Sequence, residues 1–251
     1  MSGHSKWSTI KRKKGAEDAK RGKIFTRIAR DITIAAREGG GDENANPKLK
    51  MAIMKARAAN MPKDNVERAV LRGTGGLEGE EMLELTYEGY GPDGVAFIVD
   101  ILTDNKNRAL AEIKHAFNKA GGSLAASGSV TWQFERKGYI TIDAEGNDFD
   151  EVFMVAADAG ADDVVNDEDV IAVYTPREMF GAVEKALEEA GYEISEAELR
   201  WEATNETDLP IDKAMQNMRL LERLEELDDV QSVSSNLMIT EDLAAAFETA
   251  S

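Results

Sequence analysis

The residues best suited to do chemistry crowd the N-terminus. Lys6, Trp7, Lys11, Arg12, Lys13, Lys14, Lys20, Arg21, Lys23, Arg27 and Arg30 lie within the first thirty positions, where ten Lys+Arg face two acids. Lys20, Lys23, Arg27 and Arg30 recur at spacings of three, four and three, which sets them along one side of a helix. Such a row of cations can track phosphates. Trp7 among cations suits stacking on an exposed base, and it equally suits anchoring the segment to a domain. A solvated helix face would carry the same letters, so the distribution of charge has to decide. Residues 1–75 hold 18 Lys+Arg and 8 Asp+Glu, a net of +10; residues 76–251 hold 12 and 40, a net of −28. A single-sign module joined to a body of opposite sign points to a polyanionic partner, although the whole chain has a net charge of −18.

Other chemistries find little support in the composition. The chain has no Cys and only two His, His4 and His115, which removes disulfides, thiolate zinc sites and Cys nucleophiles and leaves little for a Ser-His-Asp triad. Gly89-Tyr90-Gly91-Pro92-Asp93-Gly94 spells G-x-G-x-x-G. A dinucleotide site needs a helix after that loop, whereas here a strand follows, so a hairpin is expected. The acidic runs 143–151 and 162–169 lack calcium-loop spacing and read as a solvated face. Asp104 is expected to cap the helix after it. Met215 and Met218 read as core. No catalytic, metal or cofactor constellation emerges, and the expectation is a non-enzyme with no small-molecule substrate.

These residues need elements to position them. Ile24, Ile28, Ile32 and Ala35 give residues 16–38 one apolar face. Asn46 and Pro47 open a second helix, and Pro62 a third that stops at Gly73. From about residue 80 the period changes to strands. Val130, Trp132 and Phe134 are expected on one strand face, followed by a separate Ile140/Ile142 strand, and residues 138–203 spell β-α-β-β-α-β, the ferredoxin-like order. Gly121, Gly160 and Gly191 each follow a helix as its left-handed terminator. The last two elements expected are a helix at 211–227 and a strand at 230–237. The fold class is therefore α+β with three domains. They are a basic helical domain at 1–78, a middle α/β domain at 79–136 plus 204–240, and a ferredoxin-like acidic domain at 137–203 inserted into it. The apolar runs are short, as in Val95–Val99, so no membrane helix is expected, and the N-terminus lacks the apolar core of a signal peptide. A cytoplasmic protein is expected.

Several separated blocks agree in order with one family. Gly3-His4-Ser5-Lys6-Trp7, Asp18-Ala19-Lys20-Arg21-Gly22-Lys23-Ile24-Phe25, Asn46-Pro47, Glu88-Gly89-Tyr90-Gly91-Pro92 and Gly128-Ser129-Val130 together resemble the YebC/PmpR family. The resemblance implies a helical N-terminal domain with two α/β domains. It also implies regulation of gene expression: bacterial members carry the label of DNA-binding transcriptional regulator, and mitochondrial relatives act as translational activators. The expectation is a nucleic-acid-binding regulator acting on DNA, with ribosomal RNA or the ribosome as the alternative target. Ligand sensing or protein interaction is a remoter reading.

Overall fold

The computed structural model describes residues 6, 7, 10, 18–76, 82–167 and 169–250. Three helices come first: α1 (Asp18–Gly39), α2 (Pro47–Ala58) and α3 (Lys63–Gly73). The side chain of Asn46 accepts the Leu49 N–H at 3.1 Å and its amide donates to the Ala35 carbonyl at 2.7 Å. One residue thus starts α2 and ties it to α1. Ile28, Ile32, Ala35 and Ala36 of α1 pack with Leu49, Ile53, Ala56 and Ala69. Gly73 is required where α3 meets α1, because a Cβ there would lie 2.3 Å from the Thr33 carbonyl oxygen.

A four-stranded sheet follows, formed by β1 (Leu83–Tyr90), β2 (Ala96–Thr103), β3 (Ser123–Leu124) and β8 (Val230–Ser235) in the order β3-β1-β2-β8. The G-x-G-x-x-G segment makes the hairpin between β1 and β2, with Asp93 at φ 57 and Gly94 at φ 83. Helices α4 (Lys106–Ala120), α7 (Ile211–Glu225) and α8 (Glu241–Thr249) complete this part. Its core joins Val95, Phe97, Val99 and Ile101 to Ile113, Phe117, Met218, Leu221 and Leu224. β8 pairs antiparallel with β2, so the chain leaves this sheet after β3 and returns to it after the intervening unit. α8 is an addition to the elements expected from the sequence; Thr240 caps it, and Leu243 and Phe247 bury it.

Residues 133–204 form a separate compact unit. It contains β4 (Phe134–Asp143), α5 (Phe149–Asp158), β5 (Asp163–Asp167), β6 (Val170–Pro176), α6 (Phe180–Glu189) and β7 (Ile194–Ala203). The antiparallel order β5-β6-β4-β7 is that of the ferredoxin-like arrangement. Gly138, Ile140 and Ile142 of β4 share the face that meets Phe180 of α6. On the opposite face the Arg200 guanidinium lies 3.3 Å over the Tyr139 ring and pairs with Glu202. The expected Val130–Phe134 strand is not formed: residues 131–133 are a single turn and β4 runs unbroken from Phe134. Gly121, Gly160 and Gly191 all adopt positive φ, between 83° and 99°, as helix terminators should.

Candidate nucleic-acid interface

The cationic row on α1 is divided. Lys11, Arg12, Lys13 and Lys14 lie outside the described residues, as do the side chains of Lys20, Arg21 and Lys23. Lys6 is half-buried. Arg27 and Arg30 are placed, and they face protein rather than solvent. Arg27 donates to the Leu227 carbonyl at 3.1 Å, and Arg30 donates to the Asp228 carbonyl at 2.6 Å. Arg30 also pairs with Asp229 at 2.9 Å. The reading of these two arginines as phosphate contacts is corrected on this geometry. Both carbonyls lie just past the end of α7, a position that favours cations, and the Leu227 carbonyl also accepts the Val230 N–H at 3.2 Å. Burial pulls the Arg27 pKa below its ordinary value, opposed by the nearby carboxylates of Glu225, Asp228 and Asp31. Ile24, expected in the core stripe, is exposed, while Ile28 and Ile32 are buried.

Asp229 is the centre of that junction. Its carboxylate takes Arg30 on one oxygen and Arg108 on the other at 2.8 Å, and accepts the Thr103 hydroxyl at 3.0 Å. Arg108 also pairs with Asp104 at 2.8 Å, and these hydrogen bonds hold its guanidinium more firmly charged than usual. The helix cap is Asn105, which accepts the Arg108 N–H; Asp104, expected as the cap, serves the arginine instead. Sequence reasoning missed Asp229, since nothing local marks an acid whose partners Thr103, Arg108 and Arg30 all lie more than a hundred residues away.

Trp7 is 2% exposed and meets Phe247 of α8 edge-on, with ring centroids 5.6 Å apart. The stacking reading is therefore corrected: Trp7 and Ile10 belong to the core around α7 and α8. Burial there excludes a base from either face of the ring.

Cations that do face solvent come from all three helices. Arg37 at the end of α1 and Arg68 and Arg72 on α3 are exposed and have no ion-pair partner among the described residues. Lys48, Arg57 and Lys63 are exposed and paired with Glu38, Glu43 and Glu67, pairs that hold little energy in water. α2 and α3 are joined by Ala59-Asn60-Met61-Pro62, with Asn60 left-handed at φ 54. No group of His, Asp or Glu suited to a metal ion occurs among the described residues, and no helix among them is long and apolar enough to cross a membrane.

Known proteins match this chain over nearly its whole length. A family model described as the TACO1/YebC second and third domain matches residues 82–237. A second, described as the TACO1/YebC N-terminal domain, matches residues 5–76. A Nitrosococcus oceani protein named probable transcriptional regulatory protein is 52% identical over 246 residues, covering 98% of this chain and 99% of its own. One of the same name from Herpetosiphon aurantiacus is 53% identical over 249 residues, covering 98% of each. The crystal structure of a conserved hypothetical protein from Aquifex aeolicus superposes with a TM-score of 0.84 at 44% identity, covering 89% of this chain and 93% of that one. With both family models in register and half of its residues shared with full-length relatives, this chain belongs to the TACO1/YebC family.

Proposed function

We propose that the protein is a non-enzymatic, nucleic-acid-binding regulator of gene expression that contacts its target through the basic N-terminal region. The observation that carries this reading is the partition of charge, +10 over residues 1–75 against −28 over the remainder. Exposed Arg37, Arg68 and Arg72, without an ion-pair partner among the described residues, support it from the structure, and relatives named probable transcriptional regulatory proteins support it from the family. Duplex DNA is the preferred target. The four-residue connection between α2 and α3 has the length used in helix-turn-helix units, and α3 presents Arg68 and Arg72 on its exposed side. The contact set proposed is Arg37, Arg68 and Arg72 with Lys11, Arg12, Lys13, Lys14, Lys20, Arg21 and Lys23.

Two measurements on the full chain test this. Operator recognition predicts one duplex bound at least ~10³-fold more tightly than random DNA. Replacing Lys11, Arg12, Lys13 and Lys14 by Gln should make the slope of log affinity against log salt shallower. The change should be about 0.9 for each duplex phosphate no longer neutralised, or about 0.7 on single strands. Co-sedimentation with ribosomal particles that survives DNase, with no selective duplex, would transfer the reading to ribosomal RNA. Failure to bind DNA, RNA or ribosomes at moderate salt overturns it.

A further inference from the structure

The unit at 133–204 has an unusual exposed helix face that the nucleic-acid reading leaves unexplained. α5 buries Val152 and Ala156 but leaves Phe153 45% and Met154 64% exposed. Phe149, Phe153 and Ala157 recur every four residues, so they form one strip along the helix. The Phe149 and Phe153 rings sit 6.2 Å apart. Isolated exposed apolar side chains are ordinary; a paired ring with an adjacent Met on the same short helix is a patch.

The rim of that patch is acidic. Asp150, Glu151 and Asp158 occupy the remaining exposed arc of α5, which carries no Lys or Arg. Asp148 caps the helix through the Asp150 and Glu151 N–H groups. α6 packs beside α5 and ends in Glu188 and Glu189. Tyr192 follows it, and its phenol is pushed up first by burial and then by Glu151 and Asp148. The whole unit has five Lys+Arg against twenty Asp+Glu, a net of −15. A nucleic acid is repelled by such a rim, and an apolar partner alone leaves its charges unused. The chemistry that satisfies both parts is cationic with an apolar anchor.

We propose that the exposed face of α5 docks a basic, apolar-anchored segment of a partner protein, with Phe153 and Met154 receiving the anchor and Asp150, Glu151 and Asp158 meeting the flanking cations. This rests on surface chemistry of the acidic unit and stands independently of the nucleic-acid target.

The test titrates full-length protein with a synthetic amphipathic Leu/Lys helical peptide and with its Lys/Ser counterpart. The Leu/Lys peptide should bind, shifting amide resonances of residues 149–158, and binding should weaken with salt. Phe153→Ser with Met154→Ser should weaken it at least about tenfold, since central apolar anchors dominate such interfaces. Both positions are exposed, so circular dichroism should match the parent. Asp150→Asn, Glu151→Gln and Asp158→Asn together provide a second variant, which should abolish most of the salt dependence. Equal affinity for the two peptides, or an unchanged affinity in the Phe153/Met154 variant, would reduce the effect to diffuse charge attraction and overturn the proposal. Concentration-dependent self-association of the parent that the same variant abolishes would make a second copy the occupant and would also overturn it.

Discussion

Glu88 ties down the loop after β3. Its carboxylate accepts the N–H groups of Gly128 at 2.6 Å, Val130 at 2.7 Å and Thr131 at 3.0 Å. Burial opposes the charge, but the hydrogen bonds from Thr131, Val130 and Gly128 outweigh it and hold the carboxyl below the usual range. A lowered folded pKa stabilises the protein above the unfolded pKa of about 4.3. That contribution is lost as pH falls through the folded value. Glu88→Gln should therefore lower stability near neutral pH by about 1–3 kcal/mol. The gap between parent and variant should close on acidification below about pH 4. Denaturant midpoints measured against pH check this, and a pH-independent gap would refute it. Trp7 shows how a residue's role can escape its sequence neighbourhood. Lys6 on one side and Lys11–Lys14 beyond suggest an exposed ring, while the deciding contact, Phe247, sits on a helix near the other end of the chain. Trp132 departs in the other direction: alternation predicts a strand, yet it is 71% exposed on a turn, with its N–H donated to the Ser129 carbonyl.

Periodicity and capping make most elements legible from the amino acids alone. The three N-terminal helices, the hairpin and the ferredoxin-like order follow from apolar spacing, Asn46-Pro47 and the three terminator glycines, because those signals are local. α8 escapes because Leu243 and Phe247 are its only buried anchors in an Ala-rich stretch. The docking of α1 escapes for a different reason. Arg27 and Arg30 look like members of a four-residue stripe, but the segment after α7 supplies the Leu227 and Asp228 carbonyls and Asp229 at that position. A buried acid between two arginines is costly to break on one side only, since the remaining charge loses its partner. Arg30→Gln and Asp229→Asn should each destabilise the attachment of α1. The double variant should be less destabilised than the two effects added, with a coupling of about 0.5–3 kcal/mol. Asp229→Asn should also speed amide exchange along α1 while β4–β7 exchange as in the parent. Additive effects would mean that the pair holds nothing.

At the scale of the whole molecule, the opposed charges make a distinct demand on salt dependence. A phosphate close to the N-terminal region meets a local charge of +10, whereas one sensing the entire chain meets −18. Screening selects between them: the Debye length is about 8 Å at 0.15 M and about 30 Å at 0.01 M. The shorter length is within the size of one domain, whose radius of gyration is roughly 13 Å for 100 residues. At physiological salt the contact cations therefore act almost alone, and log affinity should fall with log salt at about −0.9 per duplex phosphate. Near 0.01 M the acidic remainder is no longer screened, so the plot should flatten rather than continue to rise. Neutralising three exposed acids of the ferredoxin-like unit isolates the cause. Glu145→Gln, Glu178→Gln and Glu193→Gln together change the net charge from −18 to −15 without touching the N-terminal cations. The low-salt limb should then steepen while the high-salt slope is preserved. A straight plot down to 0.01 M, identical in parent and variant, would mean that the acidic remainder exerts no field on the bound nucleic acid.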